Sequence, residues 1–145
     1  MNVVIMGCGR VGARVAILLD HAGHSVAVID VESRAFRRLP ADFKGKTVIG
    51  TGIDEDVLRE AGIEGADAFV AVTNGDNRNI MGAQVARSIF RVPEVVCRIY
   101  DPVREDTYRR LGLTTVCPTT TIAAQVLEHV LSSSESGSSA GGAEV

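Results

Sequence analysis

The sequence predicts a doubly wound parallel α/β sheet, and three observations predict it. Short apolar runs alternate with helical patterns along nearly the whole chain. Runs such as Ala68-Phe69-Val70-Ala71-Val72 are apolar on both faces, as strands covered by helices on both sides must be. The first run, Val3-Val4-Ile5-Met6, passes through Gly7-Cys8-Gly9-Arg10-Val11-Gly12 into a helix, and the next, Ser25-Val26-Ala27-Val28-Ile29-Asp30, ends in an acid. Right-handed crossovers then favour the strand order 3-2-1-4-5-6.

In chain order, strands fall near 2–6, 25–30, 46–50, 67–73, 94–100 and 114–117, and helices near 10–22, 33–39, 54–61, 77–90, 103–111 and 119–131. The first strand stops where Gly7 permits a tight turn. The last helix carries Ile122, Ala123, Val126, Leu127, Val130 and Leu131 at one-face spacing, an amphipathic stripe. Two readings stand for it: packing on its own sheet, or crossing to a second subunit. The folded domain is expected to span 1–131. The remainder, 132–145, is Ser/Gly-rich with almost nothing to bury, and is expected to be disordered, either a terminus or a linker.

With that placement the glycine motif acquires chemistry. A strand, G-x-G-x-x-G, a helix and a second strand ending in an acid form a Rossmann-like nucleotide site. Gly9 leaves room for a pyrophosphate to approach the backbone, and Gly12 lets the helix lie close on the sheet. The helix N-terminus offers free N–H groups to an anion. Asp30 is placed to accept from ribose hydroxyls, a geometry that repels a 2′-phosphate, although Arg34 four residues later softens that discrimination. Ligands in such sheets sit at the carboxyl ends of the strands, which here carry Gly7, Asp30, Gly50-Thr51, Thr73-Asn74 and Arg98.

Composition narrows the function. The 145 residues suffice for one domain with a real core; 46% are hydrophobic and only 4% aromatic, a Val/Ala/Ile/Leu chemistry suited to sheet and helix. A formal net charge of −3 supplies no field toward nucleic acid or anionic lipid. The local arginine clusters (Arg34, Arg37, Arg38; Arg104, Arg109, Arg110) are read as solvated helix faces. The three cysteines, Cys8, Cys97 and Cys117, are scattered without a C-x-x-C pair, which fits a reducing cytoplasm. No apolar run approaches the ~20 residues that span a bilayer, and no direct membrane insertion is expected.

Catalytic groups are poorly represented. His21 and His24 lie on the turn before the second strand, remote from the ligand end, and His129 lies on the final helix. Cys8 is read as a small filler in the glycine turn, and no cluster has metal-ligand spacing. Two arginines are better placed. Arg10, between the second and third glycines, is positioned to reach phosphate oxygens or to stand exposed. Arg98, inside Val95-Val96-Cys97-Arg98-Ile99, requires an anionic partner, either ligand phosphate or a nearby acid such as Asp101.

From Gly50 onward the chain resembles the nucleotide-binding domain of the Trk/Ktr potassium-uptake regulators, the RCK or TrkA N-terminal domain. The matching segments are Gly50-Thr51-Gly52-Ile53-Asp54-Glu55-Asp56-Val57-Leu58, Ala61-Gly62-Ile63, and Ala66-Asp67-Ala68-Phe69-Val70-Ala71-Val72-Thr73-Asn74. They continue with Asp76-Asn77, Asn79-Ile80, Arg98-Ile99-Tyr100-Asp101-Pro102 and Leu111-Gly112. The likeness covers about 1–131. It implies regulatory binding of NAD(H), ATP or ADP without catalysis, pairing into homodimers or higher rings, and gating of a membrane potassium transporter from its cytoplasmic side. Carried over by position, Gly7, Cys8, Gly9, Arg10, Val11 and Gly12 cradle phosphates, Asp30 holds ribose, and Thr51, Gly52, Thr73, Asn74 and Arg98 complete the site. Arg10 and Arg98 match the family's phosphate-sensing arginines.

Thr51 and Gly52 stand where the family commonly has Asp and Ala, a variant similar to that of actinobacterial relatives. It removes a side-chain acceptor for the adenine amino group. The family's smaller C-terminal lobe is also expected to be missing, with the Ser/Gly tail in its place. Competing readings are the cofactor domain of an NAD-dependent oxidoreductase, and a nucleotide or redox sensor serving another partner.

Overall fold

A computed structural model describes residues 1–138. Six parallel strands form one sheet: β1 (Asn2–Met6), β2 (Ser25–Asp30), β3 (Lys46–Ile49), β4 (Ala68–Ala71), β5 (Glu94–Arg98) and β6 (Thr114–Val116). Their order is β3-β2-β1-β4-β5-β6, so the direction of winding reverses between β1 and β4. In register, Met6 lies beside Ile29 on one side and Ala71 on the other. The expected doubly wound topology is the one observed.

Alternation along β1 divides the core into two layers. Val3 and Ile5 join Val26, Val28 and Val72 against Ala13 and Ala16 of α1 (Arg10–His21). Val4 and Met6 join Ile29, Val48 and Phe69 on the other face, against Leu58 of α2 (Glu55–Glu60) and Ile80 and Ala83 of α3 (Asp76–Gln84). Both faces of the central strands are thereby dry, and Ile5, Val28, Ile29 and Phe69 are wholly buried. At ~25 cal/mol per Å² of apolar surface, this burial is the main force holding the sheet between its helices.

Local differences from expectation have physical causes. The segment expected as a helix over 33–39 is a 3-10 turn, Ser33–Arg38, with three residues rather than 3.6 per turn. The helix expected over 77–90 is α up to Gln84 and then widens into a π turn, Val85–Ile89, closed by the Phe90 N–H donating to the Val85 carbonyl. Asp54 and Asp101 cap α2 and α4 (Pro102–Arg110) through their carboxylates.

The final helix α5 runs Pro118–Ser138, past the boundary expected at 131. Ser132, Ser133, Ser134 and Ser136 turn their hydroxyls back to carbonyls three or four residues earlier, so this polar stretch is accommodated as helix. The part of the expected disordered tail over 132–138 is therefore helical, and 139–145 lies outside the described residues. Every residue from Thr119 to Ser136 is exposed. Packing of the apolar stripe on its own sheet, one of the two readings of this helix, is not what the structure shows.

Candidate functional site

The strands' carboxyl ends surround an open cleft of roughly 1070 Å³. Gly7, Cys8, Gly9, Arg10, Val11, Asp30, Thr51, Gly52, Thr73, Asn74 and Arg98 all line it. Of the twelve residues singled out from sequence, Gly12 alone stands back from the wall. Its part is the close approach: a Cβ there would sit 1.8 Å from the Gly7 carbonyl oxygen. Gly7 itself adopts φ +108°, which favours glycine. Gly9 faces open space, with nothing within 4 Å of where a Cβ would be.

Asp30 ties the second strand to the glycine turn. One carboxylate oxygen accepts from the Cys8 backbone N–H at 2.8 Å, the other from the Glu32 N–H at 2.9 Å. Each oxygen keeps a lone pair for a hydroxyl from the cleft. The α1 N-terminus opens beside it, and its N-cap, Gly9, makes no side-chain cap bond. First-turn N–H groups thus remain available to an anion.

Cys8 is fully buried. Burial, reinforced by the Asp30 carboxylate and opposed by the Arg38 guanidinium, raises its thiol to about 11. It is a filler, with its Sγ–H directed to the Ala35 carbonyl.

On the far side of the cleft the β4 turn is held by Asn79, a fully buried polar side chain. Its Oδ1 accepts from the Thr73 N–H (2.9 Å) and hydroxyl (2.7 Å), and its amide donates to the Thr73 and Arg98 carbonyls, each at 2.9 Å. All four of its bonding positions are used. Sequence reasoning placed Asn79 in the resemblance but gave it no role; an Asn beside Ile80 on a core-facing helix was the available signal.

Arg98 decides against one of the two partners read for it from sequence. Asp101 is not its partner, being engaged as the cap of α4. Its Nη2 donates instead to the Val72 and Thr73 carbonyls at 2.7 and 2.8 Å, and its guanidinium lies 4.8 Å from the centre of the Tyr100 ring. Partial charges on two carbonyls and an aromatic face stand where the nearby acid was expected. Its Nε is buried with no hydrogen-bond partner.

A correction concerns Arg34, Arg37 and Arg38, read from sequence as a solvated face. They are exposed, yet all three line the cleft. Arg38 reaches the Cys8 carbonyl at 3.5 Å, and Arg34 lies 3.8 Å from Glu32. With Arg10, Arg78 and Arg98, six arginines border the cleft against two carboxylates, Asp30 and Glu32. Such a cleft is built for an anion.

The cleft wall beside the end of β1 is shaped by Gly52. A Cβ at this position would meet the Met6 Sδ at 2.2 Å. The departure from Ala at this point therefore has a packing partner in β1. Thr51 holds the following turn through its carbonyl, which accepts from the Asp54 N–H at 3.1 Å.

Residues 3–119 match the TrkA-N domain. The chain belongs to the TrkA-N domain family. It is 53% identical over 133 residues to the Trk system potassium uptake protein TrkA of Streptomyces coelicolor, an alignment covering 92% of this chain and 60% of that protein. The chain thus spans about 60% of that relative's length. Among solved structures, a GsuK channel bound to NAD superposes with a TM-score of 0.74 at 26% identity, over 93% of this chain and 24% of that one. A GsuK structure bound to ADP superposes with a TM-score of 0.72 at 25% identity, over 90% and 33%. For this TrkA-N domain, no helix among the described residues is long and apolar enough to cross a membrane.

Proposed function

We propose that this domain is the nucleotide-sensing part of a potassium-uptake regulator. It binds an adenine nucleotide, NAD(H), ATP or ADP, as a regulatory ligand rather than as the cofactor of a reaction. The observation that carries this reading is the joining of Asp30 to the Cys8 N–H at the mouth of an arginine-lined cleft. Ribose hydroxyls would donate to the free lone pairs of Asp30. Phosphates would lie over Gly9 and the α1 N-terminus, within reach of Arg10 and Arg98. The family, the Streptomyces relative and the nucleotide-bound GsuK structures support the same reading.

A regulatory rather than catalytic role is favoured by the cleft's chemistry. Its lining holds no histidine or lysine, and its single thiol is held neutral by burial. The partner inferred from the relatives is a membrane potassium transporter subunit, with this domain cytoplasmic and peripheral to the membrane. Homodimers or higher rings would form through α5, whose apolar stripe is uncovered.

Calorimetric titration with NADH, NAD⁺, ATP and ADP, recording oligomer mass alongside, tests the proposal. Saturable binding of at least one of the four, weakened about tenfold or more in Asp30→Ala, supports it. Failure of all four to bind overturns it.

A further inference from the structure

Tyr100 occupies a junction that nucleotide binding alone does not call for. Its ring lines the cleft and stacks on the Arg98 guanidinium. Its backbone N–H donates to Asp76 Oδ1 at 2.8 Å, anchoring it to the start of α3. Its carbonyl accepts from the Thr119 hydroxyl at 2.6 Å and from the Cys117 thiol at 3.7 Å, at the first turn of α5. One residue thus touches the arginine of the anion site with its side chain and the base of the exposed helix with its carbonyl.

We propose that Arg98 and Tyr100 form a latch that reports occupancy of the cleft to α5. The inference rests on the nucleotide-binding reading and adds to it a route by which binding is transmitted.

In the structure Arg98 spends Nη2 on two neutral carbonyls and leaves the buried Nε without a partner. An anion entering the cleft offers charge-assisted bonds, about twice as strong as those to neutral carbonyls. The guanidinium therefore turns toward the anion and away from the Tyr100 ring. The β5 backbone cannot follow freely, because Asn79 grips the Arg98 carbonyl. The adjustment falls on Tyr100, whose face has lost its cation and whose carbonyl holds Thr119.

Little else restrains α5, since it is exposed from Thr119 to Ser136. Its 21 residues extend about 30 Å at 1.5 Å per residue, so a tilt of about 5° at its base moves the far end by about 2–3 Å. The element carrying the uncovered apolar stripe is hinged on the residue that senses the anion.

The chain has two tyrosines and no tryptophan, so Tyr108→Phe leaves Tyr100 as the sole emitter. ADP is titrated into this variant while tyrosine emission, calorimetric heat and hydrogen exchange of the first two turns of α5 are followed. The expected result is a change in Tyr100 emission that saturates with the heat, and a change of at least about threefold in exchange at the start of α5. Adding Thr119→Val removes the hydroxyl bonded to Tyr100. It should leave ADP affinity within about twofold and abolish the exchange response, whereas Thr119→Ser, which keeps the hydroxyl, should retain it. ADP binding with unchanged Tyr100 emission, or an undiminished α5 response in Thr119→Val, overturns the latch and leaves the nucleotide reading intact. Absence of binding heat with ADP, and then with NADH, NAD⁺ and ATP in its place, overturns both.

Discussion

The Asp30 carboxylate accepts from the Cys8 backbone N–H at 2.8 Å, so the acid that ends β2 and the glycine turn that leaves β1 are one mechanical unit. Removing the carboxylate therefore has two effects. Asp30→Ala removes the proposed ribose acceptor, which should weaken nucleotide binding by about 1.5–3 kcal/mol, and it should also cost on the order of 1 kcal/mol of stability as the Cys8 and Glu32 N–H groups lose their partner. Calorimetry and denaturant unfolding read the two effects separately.

On the proposed reading, the same carboxylate would oppose a phosphate on the adenosine ribose. NADH is expected to bind about tenfold or more tightly than NADPH. Arg34 and Arg37 border this end of the cleft and oppose the discrimination. Equal affinities for the two dinucleotides in parallel titrations would overturn the ribose role proposed for Asp30.

Gly52 and Met6 form a size-matched pair, with the Met6 Sδ 2.2 Å from where a Cβ on Gly52 would lie. Met6 is itself buried, so it cannot simply move into solvent. Gly52→Ala should destabilise the fold by about 1–3 kcal/mol through overpacking. Met6→Ala alone should cost about 2–5 kcal/mol through the cavity it leaves. In the double variant the added methyl occupies part of that cavity, and the combined loss should fall at least about 0.5 kcal/mol short of the sum. Strictly additive losses in urea titrations would mean that the sites do not meet.

Buried thiols make stability fall in alkali. Burial, with the Asp30 carboxylate beside it, raises Cys8 to about 11; burial and then Asp76 raise Cys97 to about 12, both from 9.0. In the folded state these thiols hold their protons more tightly than in the unfolded chain. Their contribution is complete below pH 9 and is lost as pH rises toward 11–12. At pH 10 the loss relative to pH 8 should be on the order of 1 kcal/mol per thiol. Guanidinium unfolding at the two pH values tests this, and Cys97→Ala should flatten the dependence.

Most of the architecture was legible in the sequence because it rests on apolar pattern. Strands buried on both faces, such as Val3–Met6 and Ala68–Ala71, can exist only inside a covered parallel sheet, and the glycine turn fixed which strand came first. What escaped depended on turn geometry or on tertiary partners. Arg34, Arg37 and Arg38 reach the cleft because the turn Ser33–Arg38 follows directly on the carboxyl end of β2, a tertiary placement that their spacing does not announce. Asn79 acquires its role from the Thr73 and Arg98 carbonyls, which reach it only in the folded sheet. Arg98 was correctly placed at the strand end, but its carbonyl and aromatic partners have no sequence signature. Helical continuation beyond 131 was obscured by a serine-rich composition whose hydroxyls satisfy themselves on the preceding turn.

The last prediction concerns assembly. Ile122, Val126, Leu127, Val130 and Leu131 are each more than half exposed on α5. Five large apolar side chains at one-face spacing make a stripe that a soluble monomer rarely leaves uncovered. The sheet's own surface does not cover it, since every residue from Thr119 to Ser136 is exposed. A second copy presenting the same stripe about a two-fold axis is the simplest cover, because one self-complementary patch then satisfies both chains. We therefore expect a dimer in solution at tens of micromolar. Val126→Asp and Leu127→Asp each place a carboxylate in the middle of the stripe, where dimerisation would have to desolvate it. Either substitution should shift the population to monomer. Nucleotide affinity should stay within about twofold, because α5 contributes no residue to the cleft lining. Light scattering that finds the parent chain monomeric with and without nucleotide would sink the prediction, and would remove the paired geometry that the proposed regulatory role requires.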